Sequence, residues 1–150
     1  MTKKQLQEEF SALLIRSSLR GKFEISEVVE AHNLTFIHAA TLCLLEPGKS
    51  LPMNSLSTFL GCTPPNVSSI IERLVDESFV AREESADDRR VKTVSLTTEG
   101  LRLREELLRV AMSIRLPGID TLSKSELDSM IAIFNKATQD IQNPFQLYSK

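Results

Sequence analysis

The middle of the chain changes from a helical to an extended hydrophobic period. Leu56 and Leu60 stand four residues apart, so they share one face of a short helix. Gly61 suits a left-handed helix end, and Thr63 and Pro64 suit the cap and first position of a second helix. The apolar positions of that second helix recur at helical spacing: Val67, Ile70, Ile71 and Leu74. The pattern predicts two helices joined by a tight turn.

A β-hairpin is predicted after the second helix. Val80 and Arg82 begin one strand, and residues 91–96, rich in β-branched side chains, form the return strand. Between the strands lies a polar tip made of Asp87, Asp88, Arg89 and Arg90. A helix pair followed by such a hairpin predicts a helix-turn-helix with a β wing, a shape that fits the grooves of duplex DNA.

Amphipathic helices are predicted on both sides of this central part. Residues 2 to about 19 form a helix that begins with the capping-box pair Thr2 and Gln5. Its apolar stripe is broad: Leu6, Phe10, Leu13, Leu14, Ile15 and Leu19. Such a stripe fits burial against a partner subunit or, equally well, in an intramolecular core.

The remaining segments complete a mostly helical pattern. Residues 21–33 are expected to form a connector, and Thr35 caps a helix over about 36–45. Two C-terminal helices are expected over about 97–115 and 123–141, the second opened by another capping-box pair, Ser123 and Glu126. The predicted fold class is therefore mostly α with a small β wing.

Composition excludes several other classes of protein. A chain of 150 residues with 41% hydrophobic content fits one domain with a buried core. No apolar run is long enough to span a bilayer, and the N-terminus lacks the apolar core of a signal peptide. Cys43 and Cys62 are too few for a disulfide framework. A cytoplasmic protein without a membrane partner is expected.

Nothing in the motifs favours catalysis. A glycine-rich phosphate loop and a Ser–His–Asp arrangement are both missing. His32 and His38 lack a third ligand at metal-binding spacing, and Cys62 fits packing into the helical turn better than redox chemistry. The sequence predicts a protein that is not an enzyme and that uses neither a metal nor a cofactor.

The second helix of the central pair offers a polar face opposite its apolar one. The candidate DNA contacts on this face and at its start are Thr63, Pro65, Asn66, Ser68, Ser69 and Arg73. Asparagine can pair with adenine through two hydrogen bonds, and serine can bond to either kind of base edge. This face is therefore expected to enter a major groove.

The wing tip supplies the other candidate contacts, Arg89 and Arg90. An arginine here can enter a narrow minor groove, where the potential is most negative, and Asp88 can hold it through a charge-assisted pair. The alternative is that the arginines only neutralise Asp87 and Asp88.

Charge is the main argument against DNA binding. The formal net charge of the chain is −2, and residues 50–100 contain five basic and eight acidic side chains. A head with this balance does not attract nucleic acid nonspecifically, so binding would depend on a few placed cations and backbone N–H groups. The alternative function is a winged-helix protein-interaction module that does not bind DNA.

A family resemblance rests on three linked motifs. The order L-x-x-x-L-G-x-T-x-x-x-V-S, then E-R-L, then D-D-R-R-V-x-x-V-x-L-T-x-x-G resembles the MarR-type transcriptional regulators. The likeness is strongest over residues 50–100 and extends more loosely to the whole chain. It implies a homodimeric winged-helix regulator, usually tuned by a small molecule. It also implies that Arg90 is the wing-tip arginine and Asp88 its supporting acid.

The resemblance assigns Asn66, Ser68 and Ser69 to groove-facing positions of the second helix, which is the recognition helix of the family. Two residues depart from the family pattern. Ser69 stands where many relatives have an arginine, and Ser78 stands where a glycine usually ends the recognition helix. The first departure concerns base specificity and the second concerns how the helix ends.

The chain is thus expected to be one domain over residues 1–150. The winged helix-turn-helix occupies about 34–100, and dimerisation helices occupy about 1–33 and 101–150. The expected function is that of a sequence-specific DNA-binding regulator, a ligand-responsive repressor that binds a pseudo-palindromic operator as a homodimer.

An effector site is expected where the dimerisation helices meet the winged part. The candidate contacts are Arg16, His32, Phe36 and His38, beside several apolar side chains. Ligand sites favour such junctions, and Arg16 or a protonated histidine suits the carboxylate of a small aromatic anion. The alternative is that these side chains fill a closed core.

Overall fold

The structure, a computed structural model, describes residues 1–85, 90–114 and 118–137. Its helices are α1 (Lys3–Glu30), α2 (Phe36–Leu44), α3 (Met53–Leu60), α4 (Pro64–Asp76), α5 (Thr98–Ser113) and α6 (Lys124–Ala137). Its strands are β1 (Leu51–Pro52), β2 (Val80–Glu84) and β3 (Lys92–Leu96), and a short 3-10 turn spans Ile119–Thr121. The predicted fold class, mostly α with a small β wing, is confirmed.

Helix α1 is longer than predicted. The expected capping box is present: the N–H of Gln5 donates to Oγ1 of Thr2, and the N–H of Thr2 donates to Oε1 of Gln5. The helix then continues to Glu30, so the prediction of a connector at residues 21–33 was wrong. A glycine such as Gly21 costs a helix interior only about 0.5–1 kcal/mol, and burial of the far end of the helix at Val29 outweighs that cost.

The three strands form one antiparallel sheet in the order β1–β3–β2. The predicted hairpin is confirmed, with Val80 opposite Leu96. The edge strand β1 was not predicted; it places Leu51 opposite Val94. A strand of two residues is too short to show a hydrophobic period in the sequence. Pro52 is tolerated because an edge strand does not need every N–H for pairing.

The recognition helix α4 ends normally although Ser78 stands where the family pattern has a glycine. The N–H of Phe79 donates to the carbonyl of Leu74 at 2.9 Å, and the N–H of Ser78 donates to that of Val75 at 2.8 Å. This is the hydrogen-bond pattern of a Schellman motif, which needs a left-handed residue at its centre. Ser78 takes that conformation, with φ of 63°. The left-handed conformation costs a serine about 1–2 kcal/mol of steric strain, but the helix still ends at Asp76.

The chain divides into two compact units, residues 1–114 and 115–150. The first has an apolar core in which α2, α3, α4 and α5 meet the end of α1 and the sheet. Its fully buried side chains include Val29, Leu42, Leu45, Leu56, Ile71, Leu74, Val94 and Leu107. In the second, Ser123 and Glu126 form the predicted capping box of α6. Within the described ranges, none of the helices has the length and hydropathy needed to cross a membrane.

Candidate nucleic-acid interface

The apolar side of α4 fixes which side faces outward. The four predicted core positions, Val67, Ile70, Ile71 and Leu74, are all buried. The first turns therefore present a polar surface to solvent, where Pro65, Asn66 and Ser69 are exposed and Ser68 is half-buried. The structure thus brings these four predicted contacts together on one face.

The turn that leads into α4 has the predicted geometry. Gly61 is left-handed, with φ of 61°, and the N–H of Cys62 donates to the carbonyl of Ser57 at 3.1 Å. Thr63 occupies the N-cap position and Pro64 the first helical position. The Thr63 side chain is exposed, and within the described part of the chain it makes no capping hydrogen bond.

The acidic residues of the head lie away from this face. Residues 53–71, which cover α3, the turn and the first two turns of α4, contain no charged residue. The acids of α4 are Glu72 and Asp76 towards its C-terminal end, and those of β2 are Glu83 and Glu84. The acidic balance of the head therefore does not extend to the first turns of α4, which are the part of the helix expected to enter the major groove.

The wing contributes a basic cleft. Arg90 is exposed just before β3, and it lines a cleft of about 270 Å³ with Met53, Asn54, Val91 and Lys92. Pairing of β1 with β3 brings the start of α3 beside this strand. Asn54 was not predicted as a site residue, because β1, which brings it beside the wing, gave no signal in the sequence. Lys92 was predicted only as part of the return strand. The other predicted tip residues, Asp87, Asp88 and Arg89, lie outside the described residues.

Arg73 is placed differently from the other candidates on α4. It lies seven residues after Asn66, which is roughly 10 Å further along the helix. Its Nη2 donates to the backbone carbonyl of Asn33 at 3.1 Å and lies 2.8 Å from Oε1 of Glu77. The guanidinium is thus engaged within the protein.

The candidate effector residues do not converge on one site. Phe36 lines an open groove of about 470 Å³ between α1 and the start of α2, whereas Arg16 is exposed nearer the N-terminus of α1 and does not line it. The His32 ring packs edge-on against the Phe79 ring, with 5.6 Å between centroids. As the described residues define it, the groove is lined by Lys22, Ser26, Glu30, Leu34, Thr35, Phe36 and Ile37.

A lysine supplies the cation at this groove. Nζ of Lys22 lies 5.9 Å from the centre of the Phe36 ring. Lys22, Ser26 and Glu30 recur every four residues and share one face of α1. Sequence reasoning missed them because it treated the segment as a connector, in which such spacing has no meaning.

His38 caps the start of α2. The N–H of Thr35 donates to Nδ1 of His38 at 3.0 Å, and the Thr35 hydroxyl lies 2.8 Å from the same nitrogen. Burial and the nearby Arg73 charge hold the pKa of His38 below its usual value. The imidazole is therefore neutral at pH 7, with Nδ1 as an acceptor.

The cysteines have unreactive surroundings. Burial raises the pKa of the Cys43 thiol, against a smaller opposing effect of Arg104. The Cys62 thiol packs beside the core and lies 3.5 Å from the carbonyl of Leu60. Over residues 1–85, 90–114 and 118–137, no group of three His, Cys, Asp or Glu side chains is arranged to hold a metal ion.

Comparisons with known proteins agree with this geometry. Residues 34–92 match the model of the MarR family. The HTH-type transcriptional regulator PrsX of Escherichia coli is 29% identical over 126 residues, which cover 83% of this chain and 75% of that protein.

Solved structures share the fold over most of their length. The YusO protein of Bacillus subtilis is 25% identical, with a TM-score of 0.64, covering 93% of this chain and 99% of its own. A single-residue variant of MepR from S. aureus, solved bound to an oligodeoxyribonucleotide, is 25% identical with a TM-score of 0.59. That match covers 89% of this chain and 98% of MepR.

Proposed function

Because the chain belongs to the MarR family of transcriptional regulators, we propose that two copies of it bind a pseudo-palindromic operator in duplex DNA and repress transcription. In this proposal α4 enters the major groove and the wing reaches the adjacent minor groove. Since the partner is DNA, we place the protein in the cytoplasm. The DNA complex of a MepR variant supports this proposal, because that protein shares the fold over nearly its whole length.

The observation that carries the proposal is the uncharged polar face of α4. Asn66 and Ser69 project from a helix whose opposite side is anchored by four buried apolar residues. A rigid helix with short polar side chains in its first turns is suited to base-edge hydrogen bonds. Arg90 and Lys92 of the wing, beside the start of α3, add the cations that phosphate contacts require.

The proposed homodimer rests on apolar side chains that one chain leaves in water. Seven large apolar side chains of α1 are 40–67% exposed: Leu6, Phe10, Leu13, Leu14, Ile15, Leu19 and Phe23. Helix α6 exposes four more, Met130, Ile131, Ile133 and Phe134. Exposed apolar side chains in such numbers on a helix mark an interaction site, and a second copy of the chain would cover those of each helix. The two recognition helices would then meet half-sites about 34–36 Å apart.

The proposed effector is a small aromatic compound with one carboxylate, bound in the groove between α1 and α2. Its carboxylate would pair with Lys22 and its ring would stack on Phe36. Glu30 also lines the groove, so a single negative charge is favoured over two. A tenfold loss of DNA affinity requires the ligand to prefer the non-binding state by only about 1.4 kcal/mol.

A mobility-shift assay with the DNA upstream of the protein's own gene tests this function. Arg90→Ala is expected to weaken operator binding by about 1–3 kcal/mol, and Asn66→Ala to change base preference in a panel of operator variants. Arg102→Ala is the matched control. Arg102 is also an exposed arginine, and its Nη1 lies 2.6 Å from Oε1 of Glu99 on the same helix. Equal affinity of the wild-type protein for operator and unrelated DNA would refute sequence-specific binding.

The same assay tests the effector. Addition of monocarboxylate aromatics should release the operator from the wild-type protein, and Lys22→Gln should abolish that response without abolishing DNA binding. If saturating concentrations changed neither the operator affinity nor the melting temperature, the groove would not be an effector site.

A further inference from the structure

Arg73 lies on the recognition helix, yet its guanidinium is used inside the protein. We infer that Arg73 is a positioning residue that ties α4 to the α1–α2 connection, residues 31–35, and that this joint transmits movement of α1 to the recognition helix. The expected effect of this joint on DNA binding rests on the proposed function, whereas the joint itself can be measured in the protein without DNA.

One nitrogen of the Arg73 guanidinium contacts two acceptors. Nη2 of Arg73 donates to the carbonyl of Asn33 at 3.1 Å, joining positions 40 residues apart. Oε1 of Glu77, the C-cap residue that follows α4, lies 2.8 Å from that nitrogen and holds the guanidinium in place. Charge-assisted hydrogen bonds of this kind are shorter and stronger than neutral ones. The carbonyl and the recognition helix are therefore fixed relative to each other.

The carbonyl that accepts this bond is itself fixed to the end of α1. The N–H of Leu34 donates to the carbonyl of Val29 at 2.9 Å, and that of Asn33 donates to Glu30 at 3.0 Å. Asn33 is left-handed, with φ of 54°, and Leu34 is buried. Because this is a Schellman pattern closing α1, a rotation of the helix end reorients the carbonyl that Arg73 holds.

A second contact joins the same two parts. The His32 ring packs edge-on against the Phe79 ring, and the N–H of Phe79 donates to the carbonyl of Leu74 in α4. The last turn of α4 is thus held from two neighbouring positions of the connection. Two contacts resist rotation of the helix as well as translation.

The effector groove ends at this joint. Leu34 and Thr35 line the groove, and they follow Asn33 directly in the chain. An occupant of the groove would therefore contact residues adjacent to the carbonyl that Arg73 holds. This gives the proposed effector a physical route to α4.

Salt dependence separates positioning from a direct phosphate contact. Operator affinity is measured by fluorescence anisotropy between about 50 and 200 mM salt for the wild type and for Arg73→Gln, Arg90→Gln and Arg102→Gln. A lost phosphate contact lowers the slope of log affinity against log salt by about 1. We expect Arg73→Gln to bind about five- to tenfold more weakly with an unchanged slope. A reduced slope or an unchanged affinity for Arg73→Gln would overturn the inference.

Glu77→Gln gives a second variant whose expected effect has opposite signs under the two interpretations. If Arg73 contacts phosphate, freeing it from Glu77 should tighten operator binding. If Arg73 positions α4, the loss of its anchor should weaken binding at every salt concentration. Tighter binding by Glu77→Gln would therefore refute the positioning role.

Amide hydrogen exchange of the free protein tests the joint without DNA. Arg73→Gln should speed exchange at the amides of Asn33, Leu34 and Phe79, while Arg102→Gln should leave them unchanged. Unchanged protection in Arg73→Gln would show that Arg73 does not hold the joint. If the wild type binds no DNA but the exchange effect is present, the proposed function fails while the structural joint remains.

Discussion

Among the five glycines of the chain, Gly100 is the one at which an added methyl group would meet the closest obstacle. A Cβ built there would lie 1.8 Å from the carbonyl oxygen of Phe79 and 2.8 Å from its carbonyl carbon. The obstacle is backbone, so it cannot rotate away as a side-chain end would. Gly100→Ala must therefore move the start of α5 away from the end of the recognition helix.

The size of the effect follows from the bonds at this contact. Restoring a separation of 3.0 Å requires a displacement of roughly 1.2 Å, since the built distance is 1.8 Å. Thr97 donates from N to the carbonyl of Phe79 at 3.1 Å and from Oγ1 to that of Ser78 at 2.7 Å. Thr97 Oγ1 also accepts from the N–H of Gly100 at 3.0 Å.

Losing these three hydrogen bonds costs about 1.5–4.5 kcal/mol, because each contributes about 0.5–1.5 kcal/mol. Alanine returns about 1 kcal/mol through its higher helix propensity. We therefore expect Gly100→Ala to lower the free energy of unfolding by about 0.5–3.5 kcal/mol.

Urea unfolding followed by far-UV circular dichroism measures this difference. Protein concentrations must be matched, because unfolding of a dimer depends on concentration. Gly21→Ala is the matched control: its Cβ would lie 3.3 Å from Cδ1 of Ile114, the end of a side chain that can move. That variant should be neutral or stabilised by up to about 1 kcal/mol. A Gly100→Ala protein as stable as the wild type would refute the reasoning.

Three further predictions concern stability and assembly. Ser78→Gly should raise the free energy of unfolding by about 0.5–1 kcal/mol, because relief of the left-handed serine, about 1–2 kcal/mol, exceeds the backbone entropy of about 0.5–1 kcal/mol that a glycine loses on folding. A lower urea midpoint would contradict this. Leu13→Glu should halve the mass measured by light scattering, while Val75→Glu, an exposed apolar position outside α1 and α6, should not; an unchanged mass for Leu13→Glu would count against the α1 interface. The pKa of His38 is lowered in the folded state, so the unfolded chain takes up a proton first and stability should fall as the pH drops below about 6.5. His38→Gln, which keeps an acceptor for the N–H of Thr35, should lose that part of the pH dependence in urea titrations, and an unaltered profile would exclude His38 as its source.

Local pattern was sufficient for the recognition helix and its start. The apolar spacing from Val67 to Leu74 determined which face is buried, because a helix has one period and the core accepts only one side of it. Thr97 and the Ser123–Glu126 pair marked helix starts for a similar reason, since a cap acts within one turn. The polar face with Asn66 could therefore be predicted from the sequence.

The tertiary structure decided where the long-range partners lie. Strand β1 exists only because β3 offers it a backbone edge, and it brings Asn54 beside Lys92. The extension of α1 depends on burial of Val29 against the rest of the core, and it makes Lys22 rather than Arg16 the cation of the groove.

Arg73 shows the same limit within the candidate site itself. Helical spacing alone predicts that Arg73 lies on the polar side of α4 with the other candidates. Its acceptor, the carbonyl of Asn33, lies 40 residues away and points at α4 only because α1 ends there in a left-handed turn. Spacing along a helix fixes the direction of a side chain, whereas its partner is set by whichever distant backbone the folded chain brings within 3.1 Å.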